Sequence, residues 1–187
     1  CPRAHSRSPI TLRRRSYRGA VPQVPRHLVL LGPMGVGKTT IGSRAARRMG
    51  RPFLDSDTLV MDRMGRTGAE IAADDGVGVL HRLELDVFIE MSSSQEPVVM
   101  APGASVVDTA AGRVICRTCW TVVLWASEDV LEIRRSRGLH RRILGSAEAA
   151  HLASVRLGHH REVADLTIDT TGRTPDGITD EIGESIR

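Results

Sequence analysis

Lysine is almost missing from this sequence. Of 26 basic residues 25 are arginine, and the one lysine, Lys38, stands inside a glycine-rich segment. Three cysteines (Cys1, Cys116 and Cys119) are too few and too unevenly placed for a disulfide framework, which points to a reducing compartment. No run approaches the ~20 apolar residues that a spanning helix needs, which argues against a membrane partner. Residues 1–26 lack acids altogether and carry seven arginines, so that of the net +4 the rest of the chain holds −3. That segment is rich in Ser and Pro and has no apolar periodicity, so it reads as a disordered Arg-rich tail. A solvated extension is its simplest meaning. The composition is also that of an organelle transit peptide. A nucleic-acid-binding arm ranks last, with only Tyr17 there to stack on a base.

What is present is a single domain over residues 27–187, in which strands and helices alternate. Short apolar runs at 27–31, 52–54, 97–101, 121–125 and 165–169 read as five strands. Helices are expected at 39–49, across 58–95 with breaks at Gly65, Gly68, Gly76 and Gly78, and at 108–115, 128–135 and 149–161. A last helix is opened by Pro175, whose missing N–H costs nothing in a first turn. Residues 136–147, rich in Arg and Gly, read as a loop. The alternation predicts an α/β fold with a parallel sheet covered on both faces, and ligands beyond the carboxyl ends of its strands.

Three segments fall at those ends. The first is Gly32-Pro33-Met34-Gly35-Val36-Gly37-Lys38-Thr39, followed by Thr40, a full GxxxxGK[ST] match between a strand and a helix. Its glycines let backbone N–H groups converge on phosphate oxygens, and the following helix adds its dipole. Lys38 suits the β- and γ-phosphates of ATP or GTP, and the Thr39 hydroxyl suits Mg²⁺. The second segment carries Asp55 and Asp57, one residue apart on what reads as an extended stretch, where both carboxylates would face one site. A loop that simply caps the next helix is the competing account. The third is Pro102-Gly103-Ala104.

The order of GPMGVGKTTIG, FLDSD, the run from DRMGRTGAEIAADDG to LHRLE, and VRLGHHREVADLTIDT resembles the shikimate kinase family over about residues 27–187. The resemblance implies a three-layer α/β/α P-loop kinase fold with a helical substrate-binding insertion and a lid. It further implies ATP and Mg²⁺, and phosphorylation of a hydroxyl on a small carboxylated metabolite, shikimate first, within aromatic amino acid biosynthesis. By the family's pattern Asp55 holds Mg²⁺ through water and Asp57 holds and activates the attacking hydroxyl. Arg156 grips the acceptor carboxylate, Arg135 lies against adenine, and Arg142, or its neighbour Arg141, is the lid arginine.

The sequence departs from that pattern where the acceptor should sit. The family's Phe-Arg is Leu80-His81 here, so a histidine, which can donate a hydrogen bond but lacks the permanent charge and bidentate fork, replaces an arginine. Val77 stands where a glutamate is usual, and three glycines become Pro102-Gly103-Ala104. The expectation is therefore a kinase with a complete donor half and an altered acceptor half. The alternative is a nucleotide-binding regulatory protein of the same fold. No nucleic-acid partner is expected, and the chain is expected to be monomeric and cytoplasmic, with targeting by the tail as an alternative.

Three smaller motifs carry less. Cys116-Arg-Thr-Cys119 lacks further ligands and reads as packing. His159-His160 reads as exposed surface near the substrate rim. Arg134 and Arg135 fit a solvated helix face as well as a functional one.

Overall fold

A computed structural model describes residues 27–137 and 146–186. Five strands, β1 (Leu28–Leu31), β2 (Phe53–Asp55), β3 (Val99–Ala101), β4 (Trp120–Trp125) and β5 (Leu166–Asp169), form one parallel sheet in the order β2-β3-β1-β4-β5. Every residue of β1 is fully buried. Because side chains alternate across a strand, Leu28 and Leu30 enter one core while Val29 and Leu31 enter the other. An uninterrupted apolar run is what a central strand with two covered faces requires.

The helices α1 (Lys38–Met49), α6 (Glu128–Arg137) and α8 (Pro175–Ser185) cover the Leu28 face through Ile41, Ala45, Leu131, Ile178 and Ile182. The other face packs against α2 (Ser56–Met64), α3 (Gly68–Asp74), α4 (Val77–Ser92), α5 (Ala110–Thr118) and α7 (Ser146–Val163). This is the expected three-layer arrangement, with α2 to α4 as the helical insertion between β2 and β3. Among the described residues no helix is long and apolar enough to cross a membrane.

Several local expectations need correction. Gly68 and Gly78 do not break helices: each lies in the first turn of one, while Gly65 and Gly76 do stand at helix ends with positive φ. The helix expected at 108–115 is α5, which starts two residues later, and a 3-10 turn over Ala104–Asp108 precedes it; Thr109 turns extended between the two and caps α5 by accepting from the Gly112 N–H. A Cβ at position 112 would overlap the Val106 carbonyl, so glycine is needed for the two pieces to pack this closely. The loop and lid expected around 136–147, with Arg141 and Arg142, fall largely outside the described residues.

Candidate active site

The segment after β1 turns back on itself through glycines at φ +141° (Gly32), +82° (Gly35) and +103° (Gly37). Side-chain-bearing residues rarely adopt these angles, and a Cβ on Gly32 would also overlap the Leu124 carbonyl of β4. Gly37 then starts α1 with no side-chain cap and no acid in the first turn. The starts of α2, α3, α5 and α8, by contrast, are each closed by an Asp or Thr side chain. The donors at the start of α1 thus remain available to an anion, which the positive end of the helix favours.

Lys38 is the first residue of α1, and its Nζ donates to the carbonyl oxygens of Gly32 (2.9 Å) and Pro33 (3.4 Å). The ammonium is therefore held against the loop and does not trail into solvent. Burial pushes its pKa below the ordinary amine value, and the Asp57, Asp55 and Glu84 carboxylates oppose that shift. Three acids, two at the start of α2 and one on the buried face of α4, thus act on the chain's single lysine.

Asp55, the last residue of β2, uses both of its oxygens. Oδ2 accepts from the Thr39 hydroxyl at 2.7 Å, and Oδ1 caps α2 by accepting from the Asp57 N–H at 3.0 Å. The capping account of this segment is therefore correct for Asp55, and it coexists with the placement of Asp55 beside the phosphate loop. Asp57 does not lie on an extended stretch as expected. Ser56 already begins α2, so Asp57 projects from the first helical turn. Its carboxylate still reaches Lys38 electrostatically because that turn directly follows the strand end. The pair formed by a hydroxyl and a carboxylate oxygen is a hard-oxygen donor set that suits Mg²⁺.

Sequence reasoning missed Glu84. It is buried on α4, and the Ser105 hydroxyl donates to its carboxylate. The signal was present, since Leu80, Glu84, Val87, Phe88 and Met91 repeat at helical spacing and an acid interrupts the apolar stripe. A Cβ on Gly103 would overlap the Glu84 carboxyl group, so glycine is required there. Ala104 opens the 3-10 turn, and His81 lies half-buried one turn ahead of Glu84 on the same helix.

On α7, Arg156 is engaged by a second residue that sequence reasoning missed. Its Nε lies 3.0 Å and 3.2 Å from the two Asp108 oxygens, and its Nη2 lies 2.7 Å from Oδ2. His160, expected at the exposed rim, is instead 6% exposed, and its Nε2 is buried without a hydrogen-bond partner. Burial above all, then the charges of Lys38 and Arg156, push its pKa down to about 4. His160 is accordingly neutral at physiological pH. The unfolded chain, with an ordinary histidine pKa near 6.5, takes up this proton first as pH falls. Stability is therefore full above about pH 6.5 and is lost progressively toward pH 4, by about 3 kcal/mol from this group. Urea unfolding at pH 7 and at pH 4.5 should show the loss, and His160→Gln should flatten that limb. An equally steep acid loss in the variant would refute the assignment.

Arg134 is not the solvated residue that its spacing allowed. Nη1 donates to Thr170 Oγ1 (2.9 Å) and to the Val36 carbonyl (3.4 Å), and Nη2 to the Thr170 carbonyl (3.1 Å), which ties α6 and the end of β5 to the phosphate loop. Its neighbour Arg135 pairs with Glu128 and lies alongside Gly35. Cys116 and Cys119 are buried, and burial raises their thiols to about 12 and about 11, so both are neutral and unreactive at physiological pH. Packing is their role.

Comparison with known proteins agrees with this geometry. Residues 34–187 match the family described as shikimate kinase. A shikimate kinase of Symbiobacterium thermophilum is 34% identical over 167 residues, covering 86% of this chain and 96% of that protein. One from Streptomyces coelicolor is 31% identical, covering 81% and 90%. Among solved structures, shikimate kinase from Acinetobacter baumannii in complex with shikimate superposes with a TM-score of 0.79 at 29% identity, over 86% of this chain and 92% of that one.

Proposed function

This chain belongs to the shikimate kinase family, and on that premise we propose that it transfers the γ-phosphoryl group of ATP, with Mg²⁺, to a ring hydroxyl of shikimate. The observation that carries the proposal is the setting of Lys38: a phosphate-loop ammonium held by the Gly32 and Pro33 carbonyls, within electrostatic reach of the Asp57, Asp55 and Glu84 carboxylates, beside a Thr39 hydroxyl bonded to Asp55. Phosphoryl transfer needs little covalent help from a protein, and its requirements are alignment and charge neutralisation.

The N–H groups from Gly32 to Thr40 take the β- and γ-phosphates, with the side chain of Lys38 between them. Thr39 and Asp55, already in hydrogen-bond contact, would hold Mg²⁺, which when bound supplies neutralisation of charge on the phosphate oxygens. Asp57 orients the acceptor hydroxyl and takes its proton as the oxygen attacks. Gly103, Ala104 and His81 line the acceptor side, and Arg156 takes the acceptor carboxylate. Arg135, beside the phosphate loop, contacts adenine, and Arg142 supplies lid charge. The setting is the cytoplasm, and the protein acts as a monomer in aromatic amino acid biosynthesis.

A coupled assay of ADP release decides the matter. Shikimate should be turned over in preference to other cyclic polyols, including those that lack the carboxylate. Tight ATP binding with no turnover of any acceptor would refute the proposal and favour a regulatory nucleotide-binding protein.

A further inference from the structure

We propose that Asp108 is a positioning residue for the acceptor: it grips Arg156 side-on, so that the end-on pair of guanidinium N–H groups is presented to the acceptor carboxylate. This rests on the reading, given above, that Arg156 binds that carboxylate. A guanidinium has five N–H donors in a fixed plane. The Asp108 carboxylate takes the edge formed by Nε and Nη2, with contacts of 2.7 to 3.2 Å. That leaves the second Nη2 hydrogen and both Nη1 hydrogens. Their end-on pair matches a second carboxylate in the plane of the first. Asp108 and the acceptor therefore use different edges of one arginine and do not compete for it.

The chain path supports this division. Asp108 ends the 3-10 turn that begins at Ala104, next to Gly103, so the backbone lining the acceptor also carries the group that aims Arg156. The pair is partly shielded, with side chains 17% (Arg156) and 30% (Asp108) exposed, so its hydrogen bonds are somewhat less screened than those of a fully solvated pair. His159 adds a neighbour, its Nδ1 lying 3.9 Å from Asp108 Oδ1. A purely structural role, pinning α7 to the core, is already filled. Glu162 of α7 pairs with both Arg113 and Arg117 of α5, and Val163 is buried in the core.

Two effects of removing Asp108 oppose each other. Its negative charge repels an incoming carboxylate, whereas its fork removes the rotamer freedom that Arg156 would otherwise lose on binding. The guanidinium lies between the two carboxylates and screens the repulsion, so orientation dominates. Asp108→Asn and Asp108→Ser should each raise the KM for shikimate roughly 5- to 10-fold, with the KM for ATP unchanged and kcat within about twofold. Arg156→Ala should raise the shikimate KM by more, and adding Asp108→Asn to it should cost nothing further.

Calorimetric ADP binding verifies that each variant is folded. An unchanged or lowered shikimate KM in the Asp108 variants, while Arg156→Ala raises it, overturns this inference and leaves the role of Arg156 intact. Additive effects in the double variant do the same. No change in Arg156→Ala overturns the reading beneath as well. Failure of both Asp108 variants to fold would also overturn it, because the Glu162 pairs would then not be what holds α7.

Discussion

Lys38→Met is expected to lower kcat by roughly 100- to 1,000-fold and to weaken ATP binding as well. The size of the effect follows from what surrounds the ammonium. It is held by two loop carbonyls, partly withdrawn from water, and flanked by three carboxylates. In the wild type one positive charge offsets those acids and the incoming phosphates. In the variant the acids remain and the phosphates meet them with no protein cation in the loop. Only the backbone donors and the metal remain to balance the charge. Met matches the length and apolar stem of lysine, so packing is conserved and the loss is one of charge.

Lys38→Arg should not rescue activity. A planar guanidinium cannot follow a point charge into a ring of N–H groups closed by glycines at positive φ. The chain supplies arginine at 25 positions and lysine at this one, which fits that geometric demand. The coupled ADP-release assay with shikimate measures the effect, and thermal melting checks that the variants fold. Activity within tenfold of wild type in Lys38→Met would remove Lys38 from the transfer step.

Those parts of the architecture that depend on local pattern were legible in the sequence. An apolar run such as Leu28 to Leu31, bounded by a proline and a glycine turn, is a buried strand whatever its neighbours, and all five strands were located to within two residues at either end. The phosphate loop was equally plain, since its function requires particular residue types at consecutive positions. Features that depend on contacts between distant segments were not legible. Asp108 meets Arg156 across 48 residues of sequence, and neither neighbourhood carries a repeating signal that would pair them. His160 looked like surface because two adjacent histidines on a helix point to different sides, and only the docking of α7 decides which is buried. Arg134 and Arg135 pose the same problem, with one turned inward to Thr170 and the other toward Glu128. Asp57 was misplaced for a smaller reason. Asp55 both ends β2 and caps α2, so strand gives way to helix with no intervening loop residue.

That abrupt junction makes Asp57→Asn the second variant with a large expected effect. Asp57 stands at the first turn of α2, with its N–H fixed by Asp55, so its carboxylate is carried on a rigid element and not on a loop. As the proposed base for the acceptor hydroxyl it should contribute roughly 100- to 10,000-fold to kcat, within the range for a positioned general base. The amide has nearly the same shape, can still accept a hydrogen bond from the hydroxyl, and cannot take its proton. The shikimate KM should therefore change little while kcat falls, and ADP affinity at neutral pH should not weaken, because Asp57 supplies no donor to the phosphate loop. A second consequence is electrostatic. Asp57 is the largest of the carboxylate influences that hold the Lys38 pKa up against burial, so the variant should lower it further. Activity remaining in Asp57→Asn should then decline at high pH earlier than in the wild type, as Lys38 loses its proton. Asp55→Asn is the control, since it removes the partner of Thr39 and should weaken ATP binding in the presence of Mg²⁺. If Asp57→Asn instead raised the shikimate KM with kcat preserved, Asp57 would be a binding group only. The hydroxyl proton would then pass to an oxygen of the transferred phosphoryl group or to water as the new P–O bond forms, without a side-chain base.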